Sequence, residues 1–311
     1  FVERQLAMGL DAFVELPPRP PVVVNDHYNL HGLPVSYDPR VTIAEWIERP
    51  AGEEWPIMVK EYHTPAGTLR AEVRQTDDWR WGDHVPFLDD YIVPRARRFP
   101  VTGPGDLAAL RYLLVPPTEE EVAAFRAESA PALVQARQHD LLVAGGWGVG
   151  ADLVGWVYGL ENMMYASYDQ PAFLHELLDL IAGWNRQRMA VVLEAGIDLY
   201  IKRAWYENLD FWSPKSWREF LYPILKADVD LAHEREHVGR EARLNQHGGV
   251  EFLGLGVGLA LFEAGRKGRE NLGKDGDARL IEADGHSRLP RLDLVLVLGR
   301  VDKGILREAM M

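Results

Sequence analysis

The sequence predicts an α/β fold assembled from strand–helix units, and three stretches carry that prediction. Residues 196–234, GIDLYIKRAWYENLDFWSPKSWREFLYPILKADVDLAHE, read as a short apolar strand, a loop crowded with Lys, Arg, Tyr and Glu, and a capped amphipathic helix. Residues 141–150, LLVAGGWGVG, read as a second buried strand that ends in glycine. Between them, Pro171 opens a long helix. Strand, helix, strand and helix in succession is βα repetition, which places loop chemistry at the carboxyl ends of the strands.

The elements follow in order. Residues 1–16 read as the end of a helix running into a strand over Ala12–Leu16, and a chain that starts inside a helix is expected to be a fragment. The Pro-rich run PPRPP that follows blocks helix and central strand alike. Residues 42–82 alternate apolar and polar side chains about the turn Thr64-Pro65-Ala66-Gly67, the pattern of a hairpin arm departing from the main body. Thr118 with Glu121 forms a capping-box signature, so the acidic triplet Glu119–Glu121 serves the helix dipole. In the long helix, Phe173, Leu174, Leu177, Leu178, Ile181 and Trp184 recur at helical spacing up to a terminating Gly196. The last strong helix is capped by Ser213 with Pro214 at its first position; it buries Trp217, Phe220, Leu221, Ile224, Leu225 and Val229 and is expected to kink at Pro223. Leu253–Leu261 and Leu292–Leu298 are candidate strands further on.

Composition removes several function classes. The chain has 311 residues and no cysteine, which excludes disulfides, a thiolate nucleophile and Cys-ligated zinc, and makes a reducing cytoplasm the expected compartment. No apolar run approaches the roughly 18–20 residues a membrane span requires. A formal charge of −13 argues against nucleic acid as a partner, because phosphate binding needs a clustered basic face. The charge is uneven: residues 1–235 hold 35 acidic and 22 basic side chains, residues 236–311 hold 12 of each, and all Trp and Tyr lie upstream. Two regions are therefore expected, a main body over 1–235 and an atypical tail over 236–311.

Several segments together resemble the uroporphyrinogen decarboxylase superfamily: YHTPAGTLR (62–70), the run from Pro86 through FLDDYIVPR to Arg95, LLVAGGWGVG (141–150), residues 196–214 and the helix 218–234. The resemblance covers about residues 5–235. It implies a (β/α)8 TIM barrel, incomplete at both ends here, with substrate at the carboxyl ends of the strands. It further implies metal-free, cofactor-free decarboxylation of a carboxylated tetrapyrrole-like or aromatic molecule. Phe87-Leu88-Asp89 matches the family's Phe-Ser-Asp motif, which makes Asp89 the carboxylate that stabilises a cation formed on ring protonation. In the loop from Lys202 to Glu207 only Trp205 survives of the family's Asp-Ser-Trp stretch. Arg203 and Lys202 stand as candidate ligands for a substrate oxyanion, Tyr206 and Glu207 as candidate proton carriers, and Trp147 and Trp205 as aromatic walls.

Competing readings remain. Methyl transfer within the same superfamily would take a corrinoid protein as partner, and a homodimer is a further expected assembly. Its zinc-dependent members carry a His-x-Cys pair near the position of His247, which a chain without cysteine cannot supply. His233-Glu234-x-x-His237 is a literal H-E-x-x-H, the helical zinc-hydrolase motif, but no third ligand follows at suitable spacing. The run Gly145–Gly150 lacks the third glycine of a dinucleotide loop. An inactive fragment is the non-enzymatic alternative.

Overall fold

A computed structural model of the chain describes residues 2–8, 12–16, 36–246 and 295–299. Helix α1 (Val2–Ala7) and strand β1 (Phe13–Leu16) come first. Strands β2 (Thr42–Glu48), β3 (Ile57–Thr64), β4 (Gly67–Arg74) and β5 (Ala96–Arg98) form an antiparallel sheet in that order. The turn between β3 and β4 falls at Thr64↔Gly67, where Gly67 takes a φ of 137° that side-chain-bearing residues avoid. A short 3₁₀ turn and helix α2 (Leu107–Leu110) lead to α3 (Glu119–His139) and strand β6 (Leu142–Gly148). Then come α4 (Ala151–Val157), α5 (Leu160–Asp169), α6 (Pro171–Glu194) and β7 (Leu199–Arg203). The described chain ends with α7 (Pro214–Ser216), a π-turn over Trp217–Leu221, α8 (Tyr222–Gln246) and strand β8 (Val295–Gly299).

The second sheet runs β1-β6-β7-β8. Strands β1, β6 and β7 are parallel, joined by crossovers that carry helices. Strand β8 pairs antiparallel with β7, Leu199 opposite Gly299. This overturns the expected (β/α)8 TIM barrel. A barrel needs a closed ring of eight parallel strands, whereas among the described residues three are parallel, β7's outer edge is taken by an antiparallel neighbour, and residues 42–98 form a separate antiparallel sheet. The fold is mixed α/β. Candidate strand 253–261 and the run PPRPP lie outside the described residues.

Local signals hold where they are strongest. Thr118 Oγ1 accepts from the Glu121 amide at 3.2 Å while Glu121 Oε2 accepts from the Thr118 amide at 2.7 Å, closing the capping box. The apolar stripe of α6 is buried from Phe173 through Trp184, and Gly196 ends it at φ 82°. That stripe, with Leu153, Val154 and Trp156 of α4 and Phe220 and Leu221 of the π-turn, forms the main core. Val14, Leu16 and Val143 meet Ala132 and Ala136 of α3 in a smaller cluster beneath the parallel strands. The widened turn at Trp217–Leu221, closed by the Tyr222 amide on the Trp217 carbonyl, precedes Pro223, whose missing N–H and bulky ring disturb the helix there.

Thr118→Ala is expected to cost about 1 kcal/mol by removing one half of the capping box. A shift of the urea midpoint with unchanged slope is the measurement that checks it.

Candidate functional site

The carboxyl ends of β6 and β7 meet a loop, 204–212, that is held on every side. Lys202 leaves β7 fully buried and donates from Nζ to Asp228 Oδ2 of α8 at 2.9 Å, with Glu207 Oε2 at 3.6 Å. Asp228, 1% exposed, takes a second cation on its other oxygen, Arg186 Nε at 2.9 Å. Glu207 Oε1 accepts from the Ala151 amide at 2.9 Å and so satisfies an orphan donor at the start of α4. From the next position Asp152, wholly buried, reaches back to accept from the amides of Tyr206 at 2.9 Å and Trp205 at 3.4 Å. The loop's carbonyls are occupied as well: Asn208 Nδ2 donates to that of Trp205 at 3.1 Å, Trp212 Nε1 to that of Tyr206 at 2.7 Å and Trp217 Nε1 to that of Glu207 at 2.8 Å.

Charge states follow from this geometry. Burial works against the Lys202 ammonium, but the Asp228 and Glu207 carboxylates outweigh it and hold its proton more tightly than in an ordinary lysine. Burial pushes the Glu207 carboxyl up; Lys202 and the Ala151 amide offset this only in part, because Asp228 is the lysine's closer partner. Burial also raises the Tyr200 hydroxyl, aided by Asp228.

Glycine makes this packing possible. A Cβ at Gly150 would lie 2.2 Å from Glu207 Oε1, and one at Gly148 would lie 2.2 Å from Tyr200 Oη. The Gly145–Gly150 run therefore serves close approach of side chains to backbone. Tyr200 Oη and Asn185 Nδ2 sit beside Gly148 as buried polar atoms without a well-formed hydrogen bond, whereas Asn185 Oδ1 accepts from the Val149 amide at 3.0 Å.

The residues expected from sequence divide between places. Tyr206, Glu207 and Trp205 share the loop at the end of β7, and Lys202 lies in β7 itself. Arg203 is the last residue of β7 and Trp147 the penultimate residue of β6; their side chains lie outside the described residues. Asp89, 7% exposed, accepts from the Tyr91 amide at 2.8 Å and from Arg80 Nη2 at 3.1 Å, forming a turn whose arginine stacks on Tyr91. Its neighbour Asp90 is the carboxylate that meets the loop: Oδ1 accepts from Trp156 Nε1 at 2.6 Å and lies 3.5 Å from the Tyr206 hydroxyl, across 116 positions of sequence. Both Asp90 and Tyr206 are half-buried, whereas Lys202, Glu207 and Asp228 are buried.

Sequence reasoning missed Asp90, Asp152, Asp228 and Asn185. Two of these carried a signal. Asp228 falls four residues after Ile224 on the apolar stripe of α8, and Asn185 falls four after Ile181 on that of α6; a polar side chain on a buried stripe needs a buried partner. Among the described residues no group of three His, Cys, Asp or Glu side chains is placed to share a metal ion, and the His237 end of the H-E-x-x-H motif lies outside the described side chains. His247 lies outside the described residues. No helix among the described residues is long and apolar enough to cross a membrane.

No family model matches the sequence, and no curated protein matches it. Among solved structures, a methyltransferase from Methanosarcina mazei aligns at 15% identity and a TM-score of 0.33 over 74% of this chain and 51% of its own. The chain thus spans about half the length of that protein, and a likeness this low carries no argument about fold or activity. The resemblance to the uroporphyrinogen decarboxylase superfamily rests on the residues quoted for it.

Two predictions arise from the packing. Gly148→Ala drives a methyl group into Tyr200 Oη and should cost roughly 1–3 kcal/mol as an overpacked site, with part of the loss recovered in Gly148→Ala/Tyr200→Phe, where the struck atom is gone; thermal melts of the single and double variants check both. The raised Glu207 pKa means that the folded chain binds a proton where the unfolded glutamate does not. Its contribution to stability is therefore fully present below the unfolded value of 4.5 and is lost as pH rises through the higher folded value. Glu207→Gln should remove that dependence, so urea midpoints of the two proteins diverge in favour of the native one as pH falls through this window.

Proposed function

We propose that the chain belongs to an enzyme that works by proton transfer on a small carboxylated molecule. The substrate would sit where the carboxyl ends of β6 and β7 meet the Asp89–Asp90 turn. One observation carries the reading: the Tyr206 hydroxyl faces the Asp90 carboxylate, both are half-buried, and the amides and carbonyls of Trp205, Tyr206 and Glu207 are all hydrogen-bonded. A hydroxyl and a carboxylate held together can deliver a proton and stabilise the positive charge that delivery creates.

Decarboxylation is the reaction this pair suits. Protonation of an electron-rich ring carbon from Tyr206 gives a cation, Asp90 stabilises it, and loss of CO2 from a side arm leaves its electron pair in an exocyclic double bond that neutralises the charge. A solvent proton then adds to the methylene carbon and the ring proton returns to the Tyr206 oxygen, so that the net change replaces CO2 with one proton. Asp90 takes the part that the resemblance assigned to Asp89, whose oxygens are engaged with Arg80 and the Tyr91 amide. Arg203, at the last position of β7, is the proposed ligand for a substrate carboxylate, with Trp147 and Trp205 as aromatic walls. Lys202 and Glu207, each engaged with buried partners, are assigned to the scaffold.

The test is release of CO2 from uroporphyrinogen or coproporphyrinogen. Turnover is expected to fall on the order of 100-fold in Asp90→Asn, the usual cost of losing one charge-stabilising group, and comparably in Tyr206→Phe, with Asp89→Asn milder. No turnover of either compound, together with methyl-dependent binding of a corrinoid protein, would replace this reading with methyl transfer.

A further inference from the structure

We propose that Lys202 is a positioning residue for Tyr206, acting through Glu207 as a buried latch that fixes the loop against α4 and α8. This rests on the reading of Tyr206 as the proton carrier.

The loop's anchors are of two kinds. Asp152, Trp212 and Trp217 hold backbone amides and carbonyls by hydrogen bonds. Such bonds fix the path of the chain one peptide group at a time. Glu207 differs, because it is the loop's own side chain, it is buried, and its carboxylate spans two elements: one oxygen on the Ala151 amide of α4, the other facing Lys202 of β7. Lys202 in turn joins that carboxylate to Asp228 of α8. One ammonium thus ties strand, loop and two helices at a single point.

The latch is unequally balanced, which is why Lys202 matters more than its partners. Asp228 keeps Arg186 if the lysine is lost, with Nε at 2.9 Å. For Glu207 the lysine is the ion pair the structure gives, its remaining contact being a neutral amide. Without the ammonium, Glu207 would face Asp228 with nothing between them; it either takes a proton or turns outward toward solvent, and by either route the attraction that draws the loop onto β7 is gone. Tyr206 is the adjacent residue, so release of the loop would carry its hydroxyl away from Asp90, at 3.5 Å already a long contact. Phe211, edge-on to the Tyr206 ring at 5.4 Å, lies in the same loop and would travel with it.

The experiment needs no substrate. The full chain is labelled with 3-fluorotyrosine, and the Tyr206 resonance is identified among the 11 tyrosines as the one lost in Tyr206→Phe. Fluorine spectra are then compared for Lys202→Met and for Glu207→Gln, which keeps volume and an acceptor for the Ala151 amide but removes the attraction to lysine. The latch predicts that the Tyr206 line moves toward the free fluorotyrosine position and broadens in Lys202→Met, and moves less in the same direction in Glu207→Gln, while the other lines hold. If the Tyr206 line stays in place in both folded variants, or if every line collapses together in both, Lys202 is a core ion and the proposal fails. Where a reaction is measurable, Lys202→Met should lower kcat with KM little changed. A moved Tyr206 line combined with undiminished turnover in Tyr206→Phe would leave the latch standing and remove the proton-carrier reading instead.

Discussion

The buried ammonium of Lys202 organises the strand-end region around the loop 204–212. Removing Lys202 and two carboxylates from water is costly, and the attraction among them offsets that cost only when distances are short and the remaining oxygens find donors. Here they do: Asp228 has Arg186, and Glu207 has the first amide of α4. The consequence is geometric. Strand β7, helix α8 and the amino end of α4 cannot shift independently, and the loop between β7 and α7 inherits their rigidity.

That rigidity explains the uneven use of aromatic residues around the site. Trp212 and Trp217 are spent on carbonyls of the loop and Trp156 on Asp90, so three indole N–H groups act as struts. Tyr206 is placed differently, its hydroxyl 3.5 Å from the half-buried Asp90 carboxylate. The proposed proton transfer depends on such supports, because misplacement of a reacting group costs rate.

Much of the local architecture was legible in the sequence, for reasons that are themselves local. The capping box at Thr118, the α6 stripe from Phe173 to Trp184 and the turn at Thr64–Gly67 depend on neighbours within a few residues. Barrel closure does not. The repetition of strand and helix around β6 and β7 is compatible with a ring or an open sheet, and which one forms depends on strand pairings such as β7 with β8, separated by nearly a hundred residues. The site was half legible for the same reason. A loop rich in Lys, Arg, Tyr and Glu at a strand end reads as chemistry, yet nothing near Lys202 in sequence announces that Asp228, on a helix beyond the next turn, will claim it. Likewise Asp89 and Asp90 are equivalent on paper; Arg80 and the Tyr91 amide occupy one, and Trp156 turns the other toward Tyr206.

The π-turn at Trp217–Leu221 separates two anchors of this arrangement, Trp217 on the Glu207 carbonyl and Asp228 on Lys202. A bond from residue i to i+5 encloses one more residue than an ordinary helical turn, so the backbone there holds a spare unit of length. The helix can therefore shed one residue at this point and relax to regular winding while both anchors keep their places. Loss of one residue in descent at this stretch would leave the supporting frame undisturbed.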